Sequence, residues 1–91
     1  MRRAAKIDDN QTEIVEALRQ CGCSVQVLSA VGDGCPDLLI GHHRRNILME
    51  LKADKGTLTP PQELWHKGWS GQVAVVRSVD EAIAAINNAV K

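Results

Sequence analysis

Three side chains in this 91-residue sequence have the types and spacing to act on a phosphate ester: Asp37, Glu50 and Lys52. Two apolar segments carry them. Pro36-Asp37-Leu38-Leu39-Ile40-Gly41 and Asn46-Ile47-Leu48-Met49-Glu50-Leu51-Lys52 read as strands, and His42-His43-Arg44-Arg45 between them is short enough for a hairpin. A turn centred between His43 and Arg44 sets Leu39 against Leu48, Leu38 against Met49 and Asp37 against Glu50. Loops of two or four residues both give this register, whereas three or five would shift it. Directly opposed side chains start about 4.5–5.5 Å apart, and like charges there are destabilising. Two carboxylates sharing a site also push one pKa upward. A divalent cation between them removes the conflict, and Mg²⁺ prefers such oxygen ligands. Strand alternation puts Lys52 on the same face as Glu50, with Leu51 and Ala53 pointing the other way. Two acids and a lysine on otherwise apolar strands suit phosphate hydrolysis. There a cation acidifies a water and neutralises the phosphate, while the lysine orients the water or stabilises developing charge. On a solvated sheet face the same residues would form only surface ion pairs.

Other elements must position this hairpin. Residues 10–21 read as a helix, with Ile14, Ala17, Leu18 and Cys21 on one face and Gly22 where a left-handed cap is wanted. Asn10 and Gln11 fall on that buried face and need polar partners there, while Glu13 and Glu16 lie to one side. Residues 24–29 alternate as a short strand, and Gly32-Asp33-Gly34 is loop chemistry. A polar loop, residues 53–58, follows the lysine. Thr59-Pro60-Pro61-Gln62 is a capping box with Pro at the first helical position, opening a short helix through Lys67. Residues 72–77 form a nearly continuous apolar strand, expected to be buried on both faces. Ser78-Val79-Asp80-Glu81 is a second capping box, starting a helix with Ala82, Ile83, Ile86 and Val90 inward. Three strands in succession imply an antiparallel meander, and the strand joined through a helix a parallel addition. The expected architecture is α/β, a small mixed sheet flanked by helices in one domain spanning 1–91.

The chain has 11 basic and 11 acidic residues, a net charge of zero, no Phe or Tyr and two Trp. Its core must therefore come from Val, Leu, Ile and Ala. Neutrality argues against a protein held to nucleic acid by bulk charge. No apolar run approaches the roughly 18 residues of a membrane span, and the basic start leads into Asp8-Asp9-Asn10 rather than a signal-peptide core. Three cysteines, Cys21, Cys23 and Cys35, give no complete disulfide set and fit reduced thiols in a cytoplasm. Their spacing matches no common zinc pattern, and Cys21 is expected to be buried.

Gly34-Cys35-Pro36-Asp37-Leu38-Leu39-Ile40-Gly41, followed by Glu50-Leu51-Lys52, resembles the PD-(D/E)xK nuclease signature. The later Leu58-Thr59-Pro60-Pro61-Gln62-Glu63-Leu64-Trp65 is similar to the segment after that signature in the VRR-NUC branch, the virus-type replication-repair nucleases. The resemblance runs from about Asn10 to Ile86. It implies a restriction-endonuclease-like αβββαβ(α) core and a Mg²⁺- or Mn²⁺-dependent endonuclease acting on branched or structured DNA. Small stand-alone members resemble Holliday-junction resolvases and act as homodimers, so the alternatives are a flap- or nick-directed nuclease and a non-catalytic DNA-binding module. Asp37 and Glu50 match the metal-binding acids, Lys52 the catalytic lysine and the Leu51 carbonyl a further metal ligand. A first-helix residue often completes such sites. Glu13 is the match by type, Gln11 the one the helical wheel points inward. Gln62 matches a family glutamine that either touches the site or only caps its helix. A replication or repair helicase is a conceivable partner.

The remaining basic residues admit two readings. His42, His43, Arg44 and Arg45 form either a solvated turn or a DNA-backbone contact, and Lys55 and Lys67 the same. Trp65 and Trp69 are expected in the core, with a dimer contact as the alternative. Arg2, Arg3 and Lys6 read as a disordered arm. Residues 42–69 hold five basic and three acidic side chains, so the positive excess sits around the hairpin and the loop after Lys52. Neutralising Asp37 and Glu50 with a cation would leave that excess facing DNA. Binding should then be weak without metal, and local.

Overall fold

The fold begins with a helix whose end is set by a glycine. In the computed structural model, which describes residues 10–89, α1 spans Gln11–Gln20 and buries Ile14, Val15 and Leu18. Gly22 takes φ +88°, and the amides of Gly22 and Cys23 donate to the carbonyls of Arg19 and Leu18. This is a Schellman closure, which turns the chain back toward the sheet. Cys21, at the C-cap, is left exposed rather than buried, because the helix ends before its apolar stripe reaches it; Cys23 is the buried thiol. The proposed basic arm, with Arg2, Arg3 and Lys6, lies outside the described residues, as does Val90.

Four strands follow in spatial order β1-β2-β3-β4: β1 Ser24–Val27, β2 Leu38–His42, β3 Arg45–Leu51 and β4 Val73–Val76. The first three form the expected antiparallel meander, and β4 adds parallel to β3. Helix α2, Pro60–Gly68, supplies the crossover, and α3, Val79–Ala89, closes the described chain. Leu39 pairs with Leu48 and Leu38 with Met49, the register read from the turn. The hairpin is the two-residue form. His42 pairs with Arg45, and His43 and Arg44 both have positive φ, 52° and 67°, as a type I′ turn requires.

One face of the sheet holds the core. Leu38, Ile40, Ile47, Met49, Leu51 and Val76 pack against Ile14, Val15 and Leu18 of α1 and Ala82 and Ile86 of α3. Each large aliphatic side chain buried this way contributes about 1.5–3 kcal/mol. The opposite face carries Leu39, Leu48, Glu50 and Lys52 and meets only the short α2, none of whose residues is buried. That asymmetry corrects two expectations. β4 is not covered on both sides: it is an edge strand, and Val75 is 37% exposed. Trp65 and Trp69 do not join the core, because α2 sits on the uncovered face, and Trp69 is 46% exposed.

The type I′ turn is built from two residues that resist it. A non-glycine residue in the left-handed region costs about 1 kcal/mol or more, and Asn-Gly is the favoured pair. Replacing His43→Asn together with Arg44→Gly should raise stability by about 1 kcal/mol. Thermal denaturation should then show a midpoint roughly 4–8 °C higher.

Candidate active site

The β2–β3 ladder ends at Leu38 and Met49, and the reason lies in the two residues before it. Continuing the register would set Pro36 opposite Leu51, but proline has no N–H to give to the Leu51 carbonyl. Asp37 takes over the pairing in another form. Its own amide donates to the Met49 carbonyl at 3.0 Å, and its carboxylate Oδ2 accepts the Leu51 amide at 2.7 Å. Asp37 is therefore not a ladder partner of Glu50 as the register alone suggested; it caps the end of β3 with its side chain. Within a strand, one residue's N–H and C=O point to the same side. The Leu51 carbonyl thus faces the Asp37 side, with no proline N–H to meet it.

Glu50, one residue earlier, points to the face opposite the core and is 1% exposed. A carboxylate there must be held by polar groups, and α2 brings two of them. Gln62 Nε2 donates to Glu50 Oε2 at 3.2 Å, and His66 Nε2 lies 3.5 Å from Oε1. Gln62 and His66 are four apart on the helix and so share a face. Burial, with the charge of Lys52 adding to it, lowers the His66 pKa. The ring is therefore mostly neutral at pH 7, and the contact is a long neutral one rather than a salt bridge. Gln62 does both things left open by the sequence. Its Oε1 accepts the Thr59 amide at 2.9 Å and its own amide donates to Thr59 Oγ1, completing the capping box, while its Nε2 reaches Glu50. The thiol of Cys35 lies within the field of both acids. Burial raises its pKa, and the charges of Glu50 and Asp37 raise it further.

Lys52 follows β3 directly. Its amide donates to the Val76 carbonyl and its carbonyl accepts from Asn10 Nδ2, which also donates to the Arg77 carbonyl, both at 3.2 Å. The loop beyond is folded around the Arg77 guanidinium, which donates to the carbonyls of Ala53 at 2.8 Å and Gly56 at 2.6 Å. The lysine is thus fixed through its main chain from two sides, by Val76 of β4 and by Asn10 at the start of α1. Asn10 stands at the N-cap of α1, and these two carbonyls satisfy its Nδ2, while its buried Oδ1 has no partner among the described residues. Gln11 is buried, 6% exposed, and faces Ser29 Oγ at 3.5 Å, whereas Glu13 is exposed. Arg44, Arg45 and Lys55 are exposed, the two arginines at the far end of β3 from the acids.

Gly34, His66 and Arg77 are site-building residues that the sequence reading did not single out. Gly34 has φ +84°, and a Cβ there would lie 2.4 Å from the Pro61 carbonyl oxygen. The loop carrying Asp37 therefore abuts the start of α2 through a residue that can only be glycine. Among the described residues no three His, Cys, Asp or Glu side chains converge. Two carboxylates and one backbone carbonyl are the donor set available. Such an all-oxygen set suits a hard divalent cation that keeps several waters.

Compared by sequence, the chain matches no family model and no curated protein. Compared by structure, it is similar to a solved VRR_NUC domain. The TM-score is 0.70, with 23% identity, covering 88% of this chain and 97% of that one. At that identity the likeness is one of fold, and the expected small mixed α/β sheet with its helices is the fold they share.

Two substitutions test this construction. Gly34→Ala combines a left-handed strain with a backbone collision and should cost about 2–4 kcal/mol in urea denaturation. Gln62→Ala removes both the cap and a bond to a buried carboxylate. It should cost about 1–3 kcal/mol in the same measurement, and Gln62→Glu should not restore it, because a second acid would face Glu50.

Proposed function

We propose that this chain, with its VRR_NUC fold, is a metal-dependent nuclease of the PD-(D/E)xK type that cuts branched or otherwise structured DNA as a homodimer. The observation that carries the reading is the Asp37 carboxylate, seated on the Leu51 amide beside the buried Glu50 and the main-chain-anchored Lys52. A binding module has no use for a buried acid at such a place.

Asp37, Glu50 and the Leu51 carbonyl would hold Mg²⁺ or Mn²⁺. When bound, the cation supplies charge neutralisation for the phosphate and a more acidic water. The chain's own groups do the positioning. Oδ2 of Asp37 is occupied by Leu51, which fixes the direction of its other oxygen. Gln62 and His66 fix the plane of the Glu50 carboxylate from the α2 side. Hydrogen bonds to ligating carboxylates of this kind typically govern metal affinity by about 10–100-fold. Lys52, half-buried on the face of Glu50, brings its ammonium to the water or to the charge growing on the phosphate. Arg44 and Arg45 at the hairpin tip and Lys55 in the loop clasped by Arg77 meet the DNA backbone away from the cut, where contacts position without reading sequence. Two sites related by a twofold axis would cut both strands of a symmetric four-way junction, whereas one site would nick.

The test is incubation with a labelled four-way junction, a flap and plain duplex, in Mg²⁺ or EDTA. Wild type should cut the structured DNA only with metal, and Asp37→Ala and Lys52→Ala should each lose about 10²–10³-fold or more. Metal-dependent binding without cutting sinks the enzyme reading, and cutting by Asp37→Ala misplaces the metal. Light scattering at the mass of one chain rejects the dimer.

A further inference from the structure

Beside the acid pair the uncovered sheet face opens into a cavity of about 350 Å³, at the small end of ligand sites, which run from about 300 to 1,000 Å³. Leu39, Leu48, Cys35, Trp65 and Trp69 line it, with the amide side chains of Asn46 and Gln72 among its few polar groups. Leu48 stands two residues before Glu50 on the same face of β3, and Cys35 two residues before Asp37. The cavity therefore borders the strand and loop that carry the two acids.

The indoles make an ordered platform. Trp65 and Trp69 stack with ring centres 4.5 Å apart and planes 19° from parallel, although Trp69 is nearly half exposed. Gly71 lies against the second ring: a Cβ there would be 2.9 Å from Trp69 Nε1. An exposed indole held by a stacked neighbour and a glycine loses little freedom when a further flat ring joins it.

We propose that this platform and cavity receive one unpaired nucleobase of the strand being cut, next to the scissile phosphate. The inference rests on the nuclease reading and deepens it. Every base has a stacking face, so aromatic platforms bind unpaired nucleotides with little regard to sequence. Gln72 Nε2 is held by the Asn46 carbonyl at 2.8 Å, which leaves its Oε1 and the Asn46 side-chain amide to meet the polar edge of a base. In a continuous duplex the bases are stacked and paired and cannot enter. A branch, flap or gap offers a free base at no such cost, so the cavity selects for structured DNA. A second copy of the chain is the other conceivable occupant. Its docking would need about 800 Å² from each partner, and the mass of the Trp69→Ala protein separates the two.

The chain has two Trp and no Tyr or Phe, so its aromatic emission comes entirely from this platform. Titrations of the full chain would use a plain duplex, the same duplex with one unpaired nucleotide at a branch, and that DNA made abasic at the unpaired position. Ca²⁺ would replace Mg²⁺ to hold the complexes uncut. The unpaired base should quench the emission, and the abasic and plain duplexes should not. Trp69→Ala should weaken binding of the unpaired-base DNA by about 10-fold relative to the abasic one and leave the melting temperature within a few degrees. Equal quenching by the abasic DNA overturns the proposal. So does a Trp69→Ala protein whose mass falls from two chains to one, which makes the face a contact between copies. Metal-dependent cutting without base-dependent quenching overturns this inference alone. Base-dependent quenching without cutting leaves the base site standing and sinks the nuclease.

Discussion

A carboxylate withdrawn almost entirely from water costs several kcal/mol unless polar groups surround it, and Glu50 imposes that cost on a sheet with only one covered face. The rest of the second face is arranged around meeting it. Helix α2 buries none of its own residues, so its place is set less by an apolar stripe than by Gln62 and His66 reaching Glu50. Its start is held by the capping box and by Gly34, whose missing Cβ lets the Asp37 loop lie against Pro61. Asp37 completes the arrangement by accepting the Leu51 amide with its carboxylate at the end of β3. One buried charge thus ties together a strand end, a loop and a helix that have few apolar contacts to hold them. An apolar residue at position 50 would remove the need for most of this.

Much of the scaffold was legible because it depends on periodicity and short-range chemistry. The type I′ turn is fixed by two residues between alternating strands, so the register from Leu38 to His42 follows from counting. The Schellman end at Gly22 and the capping box at Thr59 and Gln62 are local in the same way. What counting could not show is where a ladder stops. The pairing of Asp37 with Glu50 assumed that β2 continues through Pro36, and the proline's missing N–H was the signal to the contrary. His66 was within reach of the same arithmetic, one helical turn after Gln62. Arg77 was not: its partners are the backbone carbonyls of Ala53 and Gly56, and no side-chain pattern records the path of a main chain. Trp65 and Trp69 fall outside the core for one reason, and Cys21 for another, the early end of α1. Apolar residues were assigned to a core on both sides of the sheet, and this sheet has helices packed fully on one side only.

The edges of the sheet bear on how the zero net charge is spent. β1 has an outward carbonyl taken by Arg19, which donates to Val25 at 3.3 Å; capping of this sort discourages strand addition. β4 has no such group at Val73 or Val75 among the described contacts, and its neighbour Arg77 is turned inward to the loop after Lys52. The one arginine near that edge is therefore committed to holding the lysine loop, and does not guard the strand. Among the described residues, exposed basic side chains stand at both ends of β3, with Lys67 apart on α2. Arg44 and Arg45 stand at one end and Lys55 beyond the other, separated by roughly 20 Å of strand at about 3.3 Å per residue. A neutral chain can attract a polyanion only locally, where positive charge is gathered. Glu50 is buried and Asp37 is bound to a backbone amide, while Asp54 and Glu63 stay exposed. Neutrality in composition is in this way compatible with exposed arginines at one end of β3 and an exposed lysine beyond the other.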